Sequence, residues 1–192
     1  DSPDIMWVKP EQRGIFPLEK FHIPRSLKKT VRQDLFSVRT NTAFRQVMEL
    51  CASPEAGRDE TWINDDILDA YVELHRQGAA HSVEAYRDGE LVGGLYGVSI
   101  GGAFFGESMF SLATDASKVA LCHLVARLKF GGYRLLDTQF ITPHLARFGA
   151  VEMPAESYKG LLNDALSTQG HWQTLGDQIS GSTIVQLITQ TS

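Results

Sequence analysis

The chain has 192 residues and a formal net charge of -5 at pH 7, and 43% of its residues are hydrophobic. This length allows one substantial domain with its own core, and the negative charge argues weakly against a nucleic-acid coat protein, while leaving room for a local basic patch. The two cysteines are far apart, which excludes a disulfide framework and a structural zinc site. No apolar run reaches the roughly 18 residues that span a bilayer, and no signal peptide is visible, so we expect a cytoplasmic protein with no membrane partner.

The first 24 residues hold four of the seven prolines, which favours extended or looped structure. After Pro24, the sequence RSLKKTVRQ predicts a helix with one basic face, because its basic residues recur at spacings of three and four. These residues are Arg25, Lys28, Lys29 and Arg32. Their face is either an ordinary solvated surface or a contact for a phosphate backbone, which needs only clustered lysine and arginine.

The next stretch predicts a strand and two helices. The strand runs from Phe36 to Thr40, and a helix follows Asn41 with apolar residues at positions 44, 47, 48 and 51. A second helix runs from Asp65 to Gln77 and ends at Gly78.

A β-hairpin comes next. Asp88-Gly89 is a strong two-residue turn signal between two strand-like segments, residues 80–87 and 90–100. A third antiparallel strand is predicted over residues 103–110. Strict alternation gives this strand a face that consists of Phe105, Glu107 and Met109. Glu107 is therefore an acid in an otherwise apolar strand.

The second half of the chain predicts alternating helices and strands. Asp115 caps a helix over residues 116–129. The later elements are a strand at 135–140, a short helix at 143–148, an extended run at 149–153, a helix at 155–166 and a last strand at 182–189. The whole order predicts an α/β (α+β) protein with a mixed sheet and helices on both faces, which resembles the acetyltransferase-like (GNAT-type) fold.

The strand LLDTQF, residues 135–140, sets a carboxylate and an amide into an apolar run. Residues two apart share a face of a strand, so Asp137 and Gln139 should point one way and Leu136, Thr138 and Phe140 the other. A buried ionised carboxylate is costly unless it is paired. Asp137 therefore either has a functional role or lies near the strand end, where it meets water or caps a helix.

The familiar catalytic signatures are absent from the sequence. It contains no GxSxG, P-loop, HExxH or GxGxxG motif, and its six histidines form no i, i+4 ligand pair, so we expect no metal site. An acetyl-coenzyme A site would need a glycine-containing loop before the helix at Ala116, but FSLATD has no glycine. That cofactor is therefore disfavoured.

Several ordered motifs resemble those of the leucyl/phenylalanyl-tRNA–protein transferases. They are TWI at 61–63, GELVGGLYGV at 89–98, FFGESMFS at 104–111, ASKVAL at 116–121, LLDTQF at 135–140 and HLARFGAVEMP at 144–154. The resemblance covers about residues 5–166. It implies an enzyme that moves leucine or phenylalanine, with methionine as a further candidate, from aminoacyl-tRNA to the N-terminal amine of a protein beginning with Arg or Lys. The new residue then marks the acceptor for N-degron degradation.

The resemblance also implies roles for individual residues. Asp137 and Gln139 fall where the family places its peptide-bond-forming pair, and Glu107 would line the same cavity. Trp62 and Trp7 would stack on the terminal adenosine of the tRNA, and the basic helix from Arg25 would contact the tRNA body. Whether Asp137 acts as a base or as an electrostatic anchor is left open by the sequence.

A hydrophobic pocket would select the amino-acid side chain. The candidates are Leu95, Met109, Leu124 and Leu128, of which the two helical leucines could equally be core residues. An aminoacyl ester is already activated, so the reaction requires orientation and a proton transfer but no metal or nucleotide cofactor. Two other functions stay open: a non-catalytic module that binds tRNA ends or N-degrons, and a coenzyme A-dependent N-acetyltransferase.

The resemblance divides the chain at residue 24. Residues 1–24 would be the remnant of a small N-terminal domain, and residues 25–192 would form the GNAT-like aminoacyltransferase domain. The family normally carries a longer N-terminal domain, and it often has aromatic residues where this chain has Leu124 and Leu128. The balance between leucine and phenylalanine is therefore open.

Overall fold

The computed structural model of the chain describes residues 10–53 and 63–190. Within these ranges, seven strands form one sheet in the order β2-β3-β4-β5-β6-β1-β7. The strands are β1 (Gln12–Phe16), β2 (Ser37–Thr40), β3 (Ala80–Arg87), β4 (Glu90–Ile100), β5 (Ala103–Ser111), β6 (Leu135–Gln139) and β7 (Val151–Pro154). The helices are α1 (Arg25–Arg32), α2 (Phe44–Ala52), α3 (Asp65–Arg76), α4 (Ala116–Phe130), α5 (Pro143–Ala146), α6 (Ala155–Ser167) and α7 (Gly181–Thr189).

The sheet is mixed. β5 and β6 pair in parallel, with α4 as the connection between them, whereas the other neighbouring strands pair antiparallel. The main core lies between the sheet and α4, α1 and α7, where Leu95 and Leu136 are buried. α2 and α3 cover the opposite face around Tyr96, and α6 covers the same opposite face around Leu135. The predicted mixed sheet with helices on both faces is therefore confirmed.

The predicted hairpin is also confirmed. Asp88 and Gly89 have φ values of 52° and 83°, the left-handed pair that a type I′ turn requires. The predicted apolar positions of α2 are buried too, namely Phe44, Val47, Met48 and Cys51. Local sequence chemistry was sufficient for both elements.

The cap of α2 comes from a neighbouring strand. The carboxylate of Glu84, on β3, is fully buried and accepts hydrogen bonds from Thr42 Oγ1 at 2.8 Å, Thr42 N at 3.3 Å and Ala43 N at 3.4 Å. It thus satisfies amides at the start of the helix. Asp115 lies at the predicted start of α4, but its side chain makes no cap hydrogen bond and binds Lys118 Nζ at 2.7 Å.

Two local predictions were wrong. Residues 12–16, predicted as extended or looped structure and not as a regular element, form β1 inside the sheet. Residues 182–189, predicted as a strand from their β-branched composition, lie in α7, because the Ser180 hydroxyl caps the helix and Ile184, Val185 and Ile188 pack into the core. The domain division at residue 24 stays a prediction, although β1 lies in the same sheet as the rest of the chain.

In the part of the chain that the structure describes, no helix has the length and apolar character needed to cross a bilayer.

Candidate active site

A cavity opens where β5 and β6 diverge. The two strands pair in parallel only as far as Phe105 opposite Asp137, and beyond that point β5 pairs with β4 alone. The space between them is a cavity of about 260 Å³. Its apolar wall consists of Phe16, Leu95, Met109, Leu121, Leu124 and Leu136. Phe140 also lines the cavity and is 63% exposed, so it lies at the opening.

A β-bulge places Glu107 in this cavity. The register of β4 and β5 passes from Tyr96 opposite Ser108 to Gly97 opposite Gly106, which leaves Glu107 as the extra residue. A bulge locally changes the direction of side chains. For this reason the predicted common face of Phe105, Glu107 and Met109 is wrong: Phe105 packs toward α6, whereas Met109 packs on the α4 side.

Glu107 has partners on two elements. Its Oε2 accepts a hydrogen bond from Gln139 Nε2 at 2.9 Å, and the hydroxyl of Tyr71 on α3 donates another. Burial raises the pKa of Glu107 above its usual value, and the nearby Asp137 carboxylate adds to this increase. The carboxylate that lines the cavity is therefore a stronger base than an ordinary glutamate.

The end of β6 departs from strand geometry at Gln139. This residue has a φ of 64°, a left-handed conformation that costs a non-glycine residue roughly 1–2 kcal/mol. The turn directs the Gln139 carboxamide to Glu107 on β5. Leu136, Thr138 and Phe140 line the cavity together, whereas Asp137 and Gln139 do not, which agrees with the predicted alternation along β6. The catalytic role predicted for Asp137 and Gln139 stays a prediction.

Asp137 is fully buried and does not line the cavity. Its oxygens accept hydrogen bonds from Arg13 Nε, at 3.1 Å and 2.9 Å, and from the backbone N of Gln139 at 2.6 Å. The Tyr158 hydroxyl donates a further hydrogen bond to it. Burial and the Asp137 carboxylate raise the pKa of Tyr158, so that its hydroxyl remains a donor. Asp137 is thus a paired carboxylate that binds protein groups.

The predicted pocket residues are partly brought together. Leu95, Met109 and Leu124 line the cavity, whereas Leu128 is fully buried in the main core, the alternative that the sequence left open. Trp7 and Trp62 lie outside the described residues.

The predicted basic helix is α1. Leu27 and Val31 anchor it in the core, and Arg25, Lys29 and Arg32 are exposed, while Lys28 is partly buried. These four side chains line one surface groove together with Ser26 and Gln33. The clustering of the basic side chains on one face agrees with the sequence prediction.

Four residues of this region were missed by sequence reasoning: Arg13, Tyr71, Ser108 and Tyr158. Arg13 stands in a proline-rich stretch without periodicity, and Tyr71 and Tyr158 resemble ordinary core-facing helix residues. Ser108 is 8% exposed and lines the cavity, and its hydroxyl has no hydrogen-bond partner among the described residues. Only the GESMFS motif, which contains Ser108, could have drawn attention to one of them.

The start of α4 does not suit an anionic pyrophosphate. The Asp115 carboxylate lies there, and the Ser117 amide already donates to Ser111 Oγ at 3.1 Å. Within residues 10–53 and 63–190, no cluster of three or more His, Cys, Asp or Glu side chains could hold a metal ion.

An apolar cavity at a split in a mixed sheet, with a carboxylate and a carboxamide beside it, holds groups of the kind that a transferase uses to bring an amine to an activated acyl group. The family model described as leucyl/phenylalanyl-tRNA protein transferase matches residues 15–163. The chain belongs to this family and is an aminoacyltransferase.

Curated relatives carry the same description. A leucyl/phenylalanyl-tRNA–protein transferase of Paramagnetospirillum magneticum is 59% identical over 87% of this chain and 80% of its own length. The protein of that name from Maricaulis maris is 54% identical over 100% of this chain and 89% of its own length. The protein of that name from Caulobacter vibrioides is 53% identical over 100% of this chain and 88% of its own length.

Solved structures show weaker likeness. A GNAT family acetyltransferase from Brucella melitensis, in complex with acetyl-CoA, is 18% identical, with a TM-score of 0.48 over 62% of this chain and 88% of that chain. L-PGS from Bacillus licheniformis is 14% identical, with a TM-score of 0.47 over 93% of this chain and 63% of that one.

Proposed function

We propose that the protein transfers leucine or phenylalanine, with methionine as a third candidate, from an aminoacyl-tRNA to the N-terminal amine of an acceptor protein. The acceptor begins with Arg or Lys, and its new N-terminal residue marks it for N-degron degradation in the cytoplasm. The observation that carries this proposal is the cavity between β5 and β6, because one space combines an apolar wall with the Glu107 carboxylate.

The aminoacyl side chain occupies the apolar part of the cavity. Leu95, Met109 and Leu124 offer an aliphatic and thioether surface of the kind that accepts a branched or aromatic side chain without polar contacts. Full burial of a leucine or phenylalanine side chain contributes about 1.5–3 kcal/mol. A charged side chain would have to give up its hydration in this cavity, so the wall excludes charged amino acids.

The acceptor amine meets the ester next to Glu107. The incoming ammonium must lose a proton before its nitrogen attacks the ester carbonyl carbon, and Glu107 is the carboxylate that lines the cavity. The C–N bond forms, the bond from carbon to the ribose oxygen of the tRNA breaks, and that oxygen takes up a proton. Gln139, hydrogen-bonded to Glu107, orients the carboxylate and can donate to the developing oxyanion.

Asp137 acts indirectly in this scheme. Its oxygens are occupied by Arg13, Tyr158 and the backbone of Gln139, and its side chain has no exposed surface. The sequence left a base and an electrostatic anchor as alternatives for Asp137. The contacts favour an electrostatic anchor: Asp137 holds groups of the protein itself and does not bind the substrate.

The basic face of α1 contacts the tRNA body. We expect the Lys28→Gln/Lys29→Gln double variant to bind tRNA more weakly and to reduce the slope of log affinity against log salt concentration by about 1–2, since two phosphate contacts are lost. Lys159→Gln is the control, because Lys159 is an exposed cation on α6 that pairs with Glu156 at 2.6 Å. An unchanged salt slope in the double variant would show that this face is an ordinary solvated surface that does not contact tRNA.

Ser108 binds a polar atom of the substrate. In the free protein its hydroxyl is buried and unpaired among the described residues, so Ser108→Ala should keep or raise the melting temperature. We expect kcat/KM to fall about tenfold, as for the loss of one hydrogen bond of about 1.4 kcal/mol. Ser111→Ala is the opposite control: Ser111 Oγ has two protein partners, so its loss should destabilise the fold and leave kcat/KM unchanged. An unchanged kcat/KM in Ser108→Ala would show that Ser108 does not bind the substrate.

The proposal is tested with radiolabelled leucyl-tRNA and peptides that begin with Arg, Lys or Ala. Label should move to the Arg and Lys peptides and not to the Ala peptide. Binding of tRNA without transfer would leave the non-catalytic binding module as the function. Acetylation of the peptides from acetyl-coenzyme A would instead support an N-acetyltransferase.

A further inference from the structure

The Asp137 carboxylate connects three elements at a buried point. Arg13 reaches it from β1, Tyr158 from α6, and the backbone of Gln139 from the end of β6. Asp137 is completely buried, while the Arg13 side chain is 25% exposed. The guanidinium also lies over the Tyr158 ring, 5.6 Å from its centroid. Two of the donors to Asp137, Arg13 and Tyr158, thus also contact each other.

Gln139 depends on this carboxylate for its conformation. Its φ of 64° is unfavourable for a residue with a side chain, and its amide N–H donates to Asp137 Oδ1 at 2.6 Å. In that conformation its carboxamide lies 2.9 Å from Glu107 Oε2. The orientation of the carboxamide therefore follows from the position of the Asp137 carboxylate.

β1 lies directly against the same turn. Gly14 pairs with Gln139, and a Cβ at Gly14 would lie 2.7 Å from the backbone carbonyl carbon of Phe140. This close approach places Arg13, the preceding residue, within reach of Asp137. The N-terminal strand is therefore a wall of the site.

We propose that Arg13 and Tyr158 are positioning residues of the transfer reaction: they fix the Asp137 side chain, which holds the Gln139 turn and so aims its carboxamide at Glu107. This inference rests on the proposed aminoacyl transfer and extends it to two residues that touch no substrate. The effect of Tyr158 passes through Gln139, whereas the charge of Arg13 also acts directly on Glu107 and lowers its pKa.

The test uses Tyr158→Phe, Arg13→Lys and Arg13→Met in the full chain, with leucyl-tRNA and a peptide that begins with Arg. We expect kcat to fall about tenfold in Tyr158→Phe and more in Arg13→Met, with KM for both substrates unchanged within a factor of two. Arg13→Lys, which retains the charge, should recover part of the loss. Tyr133→Phe is the matched control, because it removes a phenol that is hydrogen-bonded to Ser99 Oγ at 2.7 Å, outside the site.

A double-mutant cycle separates positioning from general stability. Gln139→Gly keeps the left-handed turn, which glycine adopts freely, but removes the carboxamide. If Tyr158 acts through Gln139, Tyr158→Phe should have no further effect on kcat in the Gln139→Gly background. The inference would be overturned if the losses of kcat in the two single variants multiply in the double variant, or if Tyr158→Phe leaves kcat unchanged. In either case, transfer by the wild type would leave the proposed function standing. Absence of transfer by the wild type would overturn both.

Discussion

Replacing Glu107 by glutamine should lower kcat by about 10²–10³, the contribution of a positioned general base. The amide has nearly the same shape and can still accept from Tyr71 and pair with Gln139, so the geometry of the cavity is retained. What is lost is the ability to take the proton from the incoming ammonium. Single-turnover transfer at saturating leucyl-tRNA measures this step, and the affinity for tRNA should stay unchanged.

The same substitution should not destabilise the protein. Burial raises the pKa of Glu107 above that of the unfolded chain, so the stability that the protonated form contributes is present at low pH and lost as pH rises through the folded pKa. At pH 7 the ionised group therefore opposes folding, and Glu107→Gln should unfold at the same or a higher temperature. Glu90→Gln, at an exposed position on β4, is the control, and it should change neither kcat nor the unfolding temperature.

Glu107 should also set the pH dependence of the reaction. We expect the acid limb of the kcat profile to lie above the usual glutamate range, because the base must be ionised and burial raises its pKa. The limb should disappear in Glu107→Gln, leaving a low and flat rate. An unchanged rate or an unchanged acid limb in this variant would assign the base to another group.

Replacing Asp137 by asparagine should lower both kcat and stability. Loss of the charge leaves the Arg13 guanidinium without its partner and weakens the hydrogen bond to the Gln139 amide. Breaking a buried ion pair costs about 3–5 kcal/mol, and the partial exposure of Arg13 reduces our expectation to about 2–3 kcal/mol of unfolding free energy. We expect kcat to fall about 10²-fold, because the Gln139 turn is no longer fixed.

Urea unfolding and tRNA binding distinguish this role from others. Asp137→Asn should lower the urea midpoint, whereas Glu107→Gln should leave it unchanged or raise it. The change in stability therefore distinguishes the roles of the two acids. The affinity for tRNA should stay close to that of the wild type. Equal losses of tRNA affinity and of transfer, or a midpoint that does not move, would contradict the anchoring role of Asp137.

The sequence predicted most of the elements from local chemistry. The turn at Asp88-Gly89 and the apolar spacing of α2 each follow from a few neighbouring residues. β1 was missed because its short stretch between prolines has no alternation, and α7 was predicted as a strand because β-branched residues dominate it. In both cases tertiary packing decided the structure.

The sequence singled out candidate site residues but not the orientation of their side chains. Motif resemblance singled out Glu107, Asp137 and Gln139, and the structure brings the three together. Simple alternation failed at the bulge of Glu107, whereas on β6 it correctly placed Leu136, Thr138 and Phe140 on one side. The bulge changes which side chains of β5 share a face. Neither the bulge nor the left-handed turn at Gln139 has a local signal in the sequence, since neither residue is a glycine.

The contacts of Asp137 could not be derived from the sequence. Arg13 and Asp137 are 124 positions apart, and nothing in the proline-rich N-terminal stretch links one arginine to a strand in the middle of the sheet. The buried charge of Asp137 did signal that a partner was needed. The sequence could state this requirement but could not identify Arg13 and Tyr158 as the partners.

A crystal structure with phenylalanyl-adenosine, in which an amide replaces the ester, would show where the aminoacyl group binds. We expect the phenyl ring to occupy the cavity against Leu95, Met109 and Leu124, with the amide carbonyl beside Glu107 and Gln139. Asp137 should remain bound to Arg13 and Tyr158. An aminoacyl group bound elsewhere, with the cavity between β5 and β6 unfilled, would contradict the proposed substrate site.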